Sequence, residues 1–184
     1  SLFMQFKYDE AIPLYEKLIA QGFDNFESNF ILGLCYEDQP DNEKALKHYQ
    51  KAVQFKNDNA TCLFHLALIE KSFCMDSLSM AHFNQSLEVS LPKERALRTY
   101  RWLADLHFQH SRYADAARDF ELSILYDEED DPLNYYNAAQ MFIASKNKLK
   151  AKLYLQLFLA NANRLEDKKE AAQLISKAKE QLKQ

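Results

Sequence analysis

Apolar residues recur along this chain with a period of about 3.6 residues, the period of a helix that buries one face. Short polar turns, such as residues 39–42 and 56–59, separate the periodic stretches. The stretches come in pairs, each with a short connection. The pattern predicts paired helices at residues 27–39 with 43–55, 60–74 with 77–90, 95–110 with 114–126, and 133–145 with 148–160.

The last amphipathic stretch, residues 165–183, has no partner helix. Its apolar face consists of Ala171, Ile175, Ala178 and Leu182, and lysines are prominent in the polar remainder. We expect this helix to cover the apolar end of the preceding pairs with a polar surface, as the terminal caps of repeat arrays do.

Small and aromatic residues return along the chain at a fixed spacing of 34 residues. The small residues are Ala11, Ala45 and Ser79, and the aromatic residues four positions later are Tyr15, Tyr49 and Phe83. Ala116 with Phe120 follows after 37 residues, which is one period with three residues inserted. A second trace has the same two steps, at Leu32-Gly33, Leu66-Ala67 and Leu103-Ala104. Two traces that share one insertion indicate an internal repeat.

A helix–turn–helix period of this length, with small and aromatic residues at these offsets, resembles the tetratricopeptide repeat. Residues 8–15 resemble the second helix of such a repeat, and residues 30–36 resemble the first helix of the next one. The resemblance extends from residue 1 to about residue 164. It is specific for the fold and says little about the function.

The resemblance implies an all-α fold, a right-handed superhelical solenoid of antiparallel helix pairs with a C-terminal capping helix at 165–184. The repeat array would occupy residues 1–164. Its parts would be a partial repeat at 1–25 and full repeats at 26–59, 60–96, 97–130 and 131–164.

Small side chains are expected where the two helices of a pair cross. On the first helices these are Gly33, Ala67, Ala104 and Ala138, and their expected facing partners are Ala45, Ser79 and Ala116. The fourth repeat is degenerate, because Asn137 occupies the leucine position and Lys150 the small position. A slip of one residue would give the small position to Ala151 instead.

The repeat register places Ser1 near the tenth position of a repeat, so that residues 1–5 would be the last turn of a first helix. We therefore expect the chain to be a piece of a longer repeat protein. The alternative is that the native start is frayed or replaced.

Composition and charge narrow the functional classes. The chain has only 2 glycines and 4 prolines, which favours long helices over turn-rich sheets. Its formal net charge is −4, and no basic excess is apparent in the sequence, so neither RNA nor any other nucleic acid is an expected partner. The acidic run from Asp127 to Asp131 lacks the ligand spacing and glycine of a calcium loop. We interpret it as a solvated turn before a helix that begins at Pro132.

The cysteines and the absence of long apolar runs bear on location. Cys35, Cys62 and Cys74 are odd in number and lie in helix-like patterns, so buried free thiols are expected. A reducing compartment such as the cytoplasm is therefore favoured. No membrane insertion is expected, because no run approaches the length of a membrane span, and no leader pattern is visible.

No catalytic or cofactor motif is found. His107 and His110 could share a helix face, but a zinc site needs three or four ligands and nothing nearby completes one. We interpret the five histidines as surface or groove residues. The two glycines cannot build a phosphate-binding loop. The chain is therefore predicted not to be an enzyme and to carry no metal and no cofactor.

The predicted function is a scaffold that binds a peptide or protein segment in a concave groove lined by the first helix of each pair. The resemblance places in that groove Phe30, Ile31, Leu34, Phe64, His65, Leu68, Arg98, Arg101, Trp102, Asp105, Phe108, Tyr135, Tyr136 and Phe142. An apolar segment with aromatic or aliphatic anchors would suit this lining, with Arg98 and Arg101 contacting an acidic flank. Two alternatives stay open: some of these side chains are core residues, or the groove is filled by missing N-terminal repeats or by the helix at 165–183.

A second hypothesis is an assembly module, in which the ends of the solenoid or its last helix pair with another copy of the chain. The apolar face of residues 1–22 motivates it.

Overall fold

Helices make up most of residues 8–183, the part of the chain that this computed structural model describes. They are α1 (Tyr8–Ala20), α2 (Phe26–Asp38), α3 (Asn42–Phe55), α4 (Ala60–Ser72), α5 (Asp76–Val89), α6 (Lys93–Gln109), α7 (Tyr113–Ile124), α8 (Pro132–Ala144), α9 (Lys148–Asn161) and α10 (Lys168–Gln181). A short 3-10 helix, Ala162–Arg164, follows α9. No strand occurs in the described residues.

The predicted helices are confirmed to within a few residues at each end. The all-α class is confirmed as well. The expectation that residues 1–5 form the last turn of a helix falls outside the described residues.

The chain divides into two compact units between Leu91 and Pro92. In unit 1, α2 pairs with α3 and α4 with α5, while α1 packs on α2 and α3 on α4. In unit 2, α6 pairs with α7 and α8 with α9, α7 packs on α8, and α10 lies against α9. Each unit therefore contains two complete helix pairs and one additional helix.

The three-residue insertion found in the sequence lengthens α6. This helix has 17 residues, whereas α2, α4 and α8 each have 13. When α6 is aligned with the other first helices at Leu103-Ala104, its additional residues lie at its N-terminus. This end follows directly after the division between the units in the sequence.

Asparagine and aspartate in the polar turns begin most of the helices. Their side-chain oxygens accept hydrogen bonds from backbone N–H groups in the first turn of the helix, which otherwise lack partners. The residues that do so are Asn25, Asp41, Asn59, Asp131, Asn147 and Asp167. Asp131 caps a helix that begins at Pro132, which confirms the interpretation of the acidic run.

The turns inside three helix pairs share one backbone conformation. Cys74, Ser111 and Lys146 each have a left-handed φ, of 57°, 59° and 60°. In each turn the next residue donates its N–H to a carbonyl five positions back, for example Arg112 N to His107 O at 2.8 Å. A left-handed residue other than glycine costs about 1–2 kcal/mol. The chain is poor in glycine even though it contains turns with positive φ, because other residues occupy most of these positions.

The turn geometry corrects the expectation for one cysteine. Cys35 and Cys62 are buried, as expected, and burial raises the pKa of their thiols to about 11 and about 12. Cys74 is exposed, because α4 ends at Ser72 and this residue forms the turn.

The helix crossing of the first pair brings the backbone of α2 close to an aromatic ring of α3. A Cβ atom added to Gly33 would lie 2.6 Å from the Tyr49 ring, and Ala45, the expected small partner, is fully buried. In the second pair the expected small partner is found, since Ser79 Oγ donates to Ala67 O at 2.8 Å. Tyr49 is fully buried and donates its hydroxyl to Glu37 Oε2 at 2.5 Å. Tyr49 is thus held by the close contact of its ring with Gly33 and by the hydrogen bond of its hydroxyl to Glu37.

The slip of one residue expected in the fourth repeat is confirmed. Asn137 is exposed, while Ala138 and Ala139 are fully buried in α8. On α9, Ala151 is buried. Lys150 is partly exposed, and its Nζ lies 2.5 Å from Glu121 Oε2.

The C-terminal helix covers the core of unit 2 with the predicted face. Ala171 and Ala178 are buried, and Ile175 and Leu182 are partly buried against the cluster formed by α8 and α9. The lysines of α10 are exposed.

The close contact between Gly33 and Tyr49 can be tested by substitution. Gly33→Ala should destabilise unit 1 by about 1–3 kcal/mol through overpacking. Inside an exposed helix the same change would stabilise by about 0.5–1 kcal/mol, so the sign is diagnostic. Urea denaturation followed by circular dichroism would measure the change.

Tyr49→Phe provides the matched second variant. It releases the ring from Glu37 and recreates the alanine–phenylalanine combination of Ala67 with Phe83 in the next pair. The double variant should lose less stability than the two single losses combined. A stabilising Gly33→Ala would contradict the packing described here.

Candidate functional site

The predicted site residues all lie on the first helices of the pairs, α2, α4, α6 and α8. Two are exposed, Arg98 and Phe108. Nine are partly exposed: Phe30, Ile31, Leu34, His65, Leu68, Arg101, Trp102, Asp105 and Tyr135. Three are buried: Phe64, Tyr136 and Phe142. We call the exposed and partly exposed set the first-helix face, and describe it separately for each unit.

The three buried residues belong to the core and offer no binding surface. Phe64 lies against Phe83, with ring centroids 6.1 Å apart. Tyr136 packs on Phe158 at 5.1 Å, and Phe142 stacks on Tyr154 at 5.3 Å. These rings fill the space between a first helix and its second helix. In α8 the one-residue slip turns Tyr136 inward, which the repeat register alone did not reveal.

In unit 1 a carboxylate of α2 contacts side chains of both α3 and α4. Glu37 Oε2 on α2 accepts the Tyr49 hydroxyl and lies 2.9 Å from His65 Nδ1 on α4. Burial, with the nearby Glu37 charge, raises the pKa of Tyr49 far above its usual value, so this hydroxyl stays a donor. Phe30, Leu34 and Leu68, on α2 and α4, are each partly exposed.

In unit 2 the first-helix face is richer in charge. Arg98, Arg101, Asp105 and Phe108 follow at spacings of three and four residues, so they share one side of α6. Arg101 Nη2 donates to Asn134 Oδ1 on α8 at 2.7 Å. The Nε atom of Arg101 is buried and has no acceptor within the described residues. An unpaired buried donor is rare and costs about 1–3 kcal/mol.

The acidic run beside α8 is occupied by internal hydrogen bonds. Asp127 accepts from Asn134 Nδ2 and from the backbone of Asp131. Asp130 accepts from the Tyr135 hydroxyl and from Arg164, and these hydrogen bonds, Tyr135 first, lower its pKa. The run thus orders the entry to α8 and orients Asn134, the partner of Arg101.

The acidic, histidine and cysteine side chains of residues 8–183 form no metal site. No group of three His, Cys, Asp or Glu residues within 8–183 is placed to hold a metal ion. His107 is buried and paired with Asp119, which corrects its interpretation as a surface residue, while His110 is exposed just beyond the end of α6. No helix in residues 8–183 combines the length and apolarity that crossing a bilayer requires.

Comparison with known sequences gives one family model and one curated relative. The model described as anaphase-promoting complex, cyclosome, subunit 3 matches residues 4–74. The chain is 24% identical to DnaJ homolog subfamily C member 3 of Gallus gallus over 188 residues, which covers 93% of this chain. The matched part is 37% of the relative, so this chain spans a little over a third of that protein's length.

Comparison with solved structures settles the fold. The crystal structure of MamA matches with a TM-score of 0.71 and 15% identity, over 89% of this chain and 93% of MamA. The C-terminal part of a TPR repeat-containing protein from Cytophaga hutchinsonii matches with a TM-score of 0.67 and 19% identity, over 86% and 61% of the two chains. This chain has the fold of tetratricopeptide-repeat proteins. The resemblance seen in the sequence is confirmed.

In three helix pairs, one histidine makes a side-chain contact between the first and the second helix. The contacts lie at equivalent positions of the repeat. In the first pair Tyr36 stacks on His48, with ring centroids 5.6 Å apart. In the second, Glu70 Oε2 lies 2.7 Å from His82 Nδ1. In the third, the acid and the base have changed places, and His107 Nδ1 lies 2.7 Å from Asp119 Oδ2.

The exchange explains why the sequence analysis missed these pairs. Residue types at one repeat position do not reveal an exchange of the acid and the base between two positions. The usable signal was the spacing of twelve residues in both Glu70–His82 and His107–Asp119. Burial raises the pKa of the Asp119 carboxyl, and the hydrogen bond from His107 opposes that shift.

If the two positions form one interacting pair, their residues can be exchanged. His107→Glu alone places two carboxyl groups together in a buried site and should cost about 3–5 kcal/mol. Adding Asp119→His reproduces the order of Glu70–His82 and should restore most of the loss. Urea denaturation of the two variants and the parent would give the three free energies of unfolding to compare. A double variant as unstable as the single one would show that the pair does not couple.

Proposed function

We propose that the chain is a non-catalytic scaffold that binds a peptide or protein segment along its first helices. The observation that carries this proposal is the surface of α6, on which exposed Phe108 and partly exposed Trp102 accompany exposed Arg98. Tetratricopeptide folds generally mediate protein–protein interaction, which agrees with this role.

The residue types of the face support a protein ligand. Tryptophan, aromatic side chains and arginine are the anchors most often found at the energetic centre of protein interfaces. In unit 2, Trp102 and Phe108 provide apolar surface, while Arg98 and Arg101 provide directional donors. Asn134 holds the Arg101 guanidinium in place, so little side-chain entropy would be lost on binding.

Unit 1 has an apolar surface of its own for a ligand of this kind. Phe30, Leu34 and Leu68 expose part of their side chains on α2 and α4, which the Glu37–His65 contact ties together. The proposed ligand is an apolar helix or an extended segment with aromatic or aliphatic anchors. Its acidic flank would contact Arg98 and Arg101.

The test replaces the two aromatic anchors of unit 2. Trp102→Ala with Phe108→Ala should reduce capture of partner proteins from a cell extract by about tenfold, because these anchors lose their buried contact area. The matched control is Leu78→Ala with Leu125→Ala, which removes two exposed leucines, 46% and 75% exposed, outside the first helices. Quantitative mass spectrometry of the captured proteins gives the readout.

Thermal melts of both variants separate binding from folding. The proposal requires partner loss in the first variant with both melting temperatures near that of the parent. Equal partner loss in the two variants would place the binding surface elsewhere, and unchanged capture in the first variant would reject the first-helix face.

The alternative function is an assembly module that pairs through the ends of the repeat array. Leu149 and Leu153 of α9 are 82% and 50% exposed and lie one turn apart, which favours contact with another chain.

Light scattering over a range of protein concentrations tests the alternative. Assembly through α9 predicts a mass that rises with concentration and becomes constant in Leu149→Ser with Leu153→Ser. A monomer at all concentrations leaves the scaffold as the function.

A further inference from the structure

A groove at the C-terminal end of unit 2 lies outside the first-helix face. It has a volume of about 520 Å³ and lies between the end of α8, the first half of α9 and the last turn of α10. Its apolar lining includes Ile143, Leu155 and Leu182. Leu155 is almost fully buried, whereas Ile143 is 39% exposed, so the groove has an apolar floor that is open to a ligand.

Three lysines surround this apolar floor. Lys146, Lys148 and Lys152 line the groove, and all three are exposed. None has a carboxylate within ion-pair distance in the described part of the chain. Lys150, on the same helix, is by contrast paired with Glu121. The positive charge at the groove is therefore not neutralised by the protein itself.

The whole C-terminal segment has a strong local excess of positive charge. Residues 141–184 contain 10 lysine and arginine residues against 4 aspartate and glutamate residues, in a chain whose net charge is −4. This segregation corrects the expectation from the sequence that no basic excess exists. An anionic group would be attracted to this end of unit 2.

Two local features of the groove lower stability without a ligand. Lys148 lies at the N-terminus of α9, whose first turn has no acidic residue, although the helix dipole favours negative charge there. Lys146 occupies the left-handed turn, with φ 60°, where a residue other than glycine is disfavoured. A bound anion would offset the first of these costs directly.

We propose that this groove is a second binding site, which takes a segment of a partner protein that presents aliphatic side chains between carboxylates. The aliphatic side chains would pack on Ile143, Leu155 and Leu182, and the carboxylates would contact Lys146, Lys148 and Lys152. The lining contains no aromatic ring, whereas single-stranded nucleic acid is held largely by stacking of bases on aromatic side chains. The lining therefore favours a peptide over RNA.

The experiment uses the full chain and three labelled probes in fluorescence anisotropy titrations. The probes are a short peptide that alternates leucine with glutamate, the same peptide with serine in place of glutamate, and oligouridine RNA. The leucine–glutamate peptide should bind most tightly, and its affinity should fall with added salt. Lys148→Glu with Lys152→Glu should weaken it about tenfold or more.

Matched variants separate the groove from the rest of the surface. Lys17→Glu with Lys47→Glu makes the same change in net charge on exposed lysines of unit 1 and should leave the affinity unchanged. Ile143→Ser should weaken the peptide, whereas Leu149→Ser, at a more exposed leucine outside the groove, should not. Circular dichroism melts confirm that each variant is folded. Hydrogen exchange should show protection of 143–155 and 178–183 on peptide binding.

Four outcomes would overturn the proposal. The serine peptide could bind as tightly as the glutamate peptide, or the Lys148 and Lys152 variant could bind the glutamate peptide as the parent does. The RNA could bind more tightly than the peptide and be lost in that variant, which would make the groove a phosphate site. The chain could instead self-associate through the groove, with association abolished in the variant and no peptide bound.

Discussion

Close approach between the two helices of a pair is the constraint on which the rest of this structure depends. One helix pair cannot bury its own apolar surface, so each pair must stack on a neighbour, and stacking in register requires a fixed separation inside the pair. Small side chains set that separation. At Gly33 even one added carbon would meet the Tyr49 ring, and at Ala67 the approach is close enough for Ser79 to reach a backbone carbonyl.

The sequence predicts this framework well because the constraint acts on residue size at fixed intervals. The helix pairs, the insertion in α6, the slip in the fourth repeat and the capping face of α10 all followed from small, aromatic and apolar residues in periodic positions. Periodicity does not determine, to within a few tens of degrees around the helix axis, the direction in which a side chain points. Phe64 and Tyr136 share the period of the first-helix face, and both turn into the core.

Charge was the least predictable part of the molecule. The net charge of the whole chain conceals a basic C-terminal end, and the identity of a charged residue says nothing about whether a partner neutralises it. Lys150 and Lys152 differ by two positions, yet Lys150 has a carboxylate partner and Lys152 has none in the described residues. The position of Glu121 on α7, within reach of Lys150, makes this difference. Functional surfaces of repeat proteins are therefore harder to anticipate than their folds.

The polar contacts of this array also bear on how it could change by gene duplication. Glu70–His82 and His107–Asp119 each lie within a single helix pair, so a copied pair would carry both partners with it. Glu37–His65 joins two successive pairs, and a pair inserted between them would separate the two residues. The same holds in unit 2 for Arg101–Asn134 and Lys150–Glu121, so a whole repeat inserted at either junction would break polar contacts that a copied pair cannot carry with it.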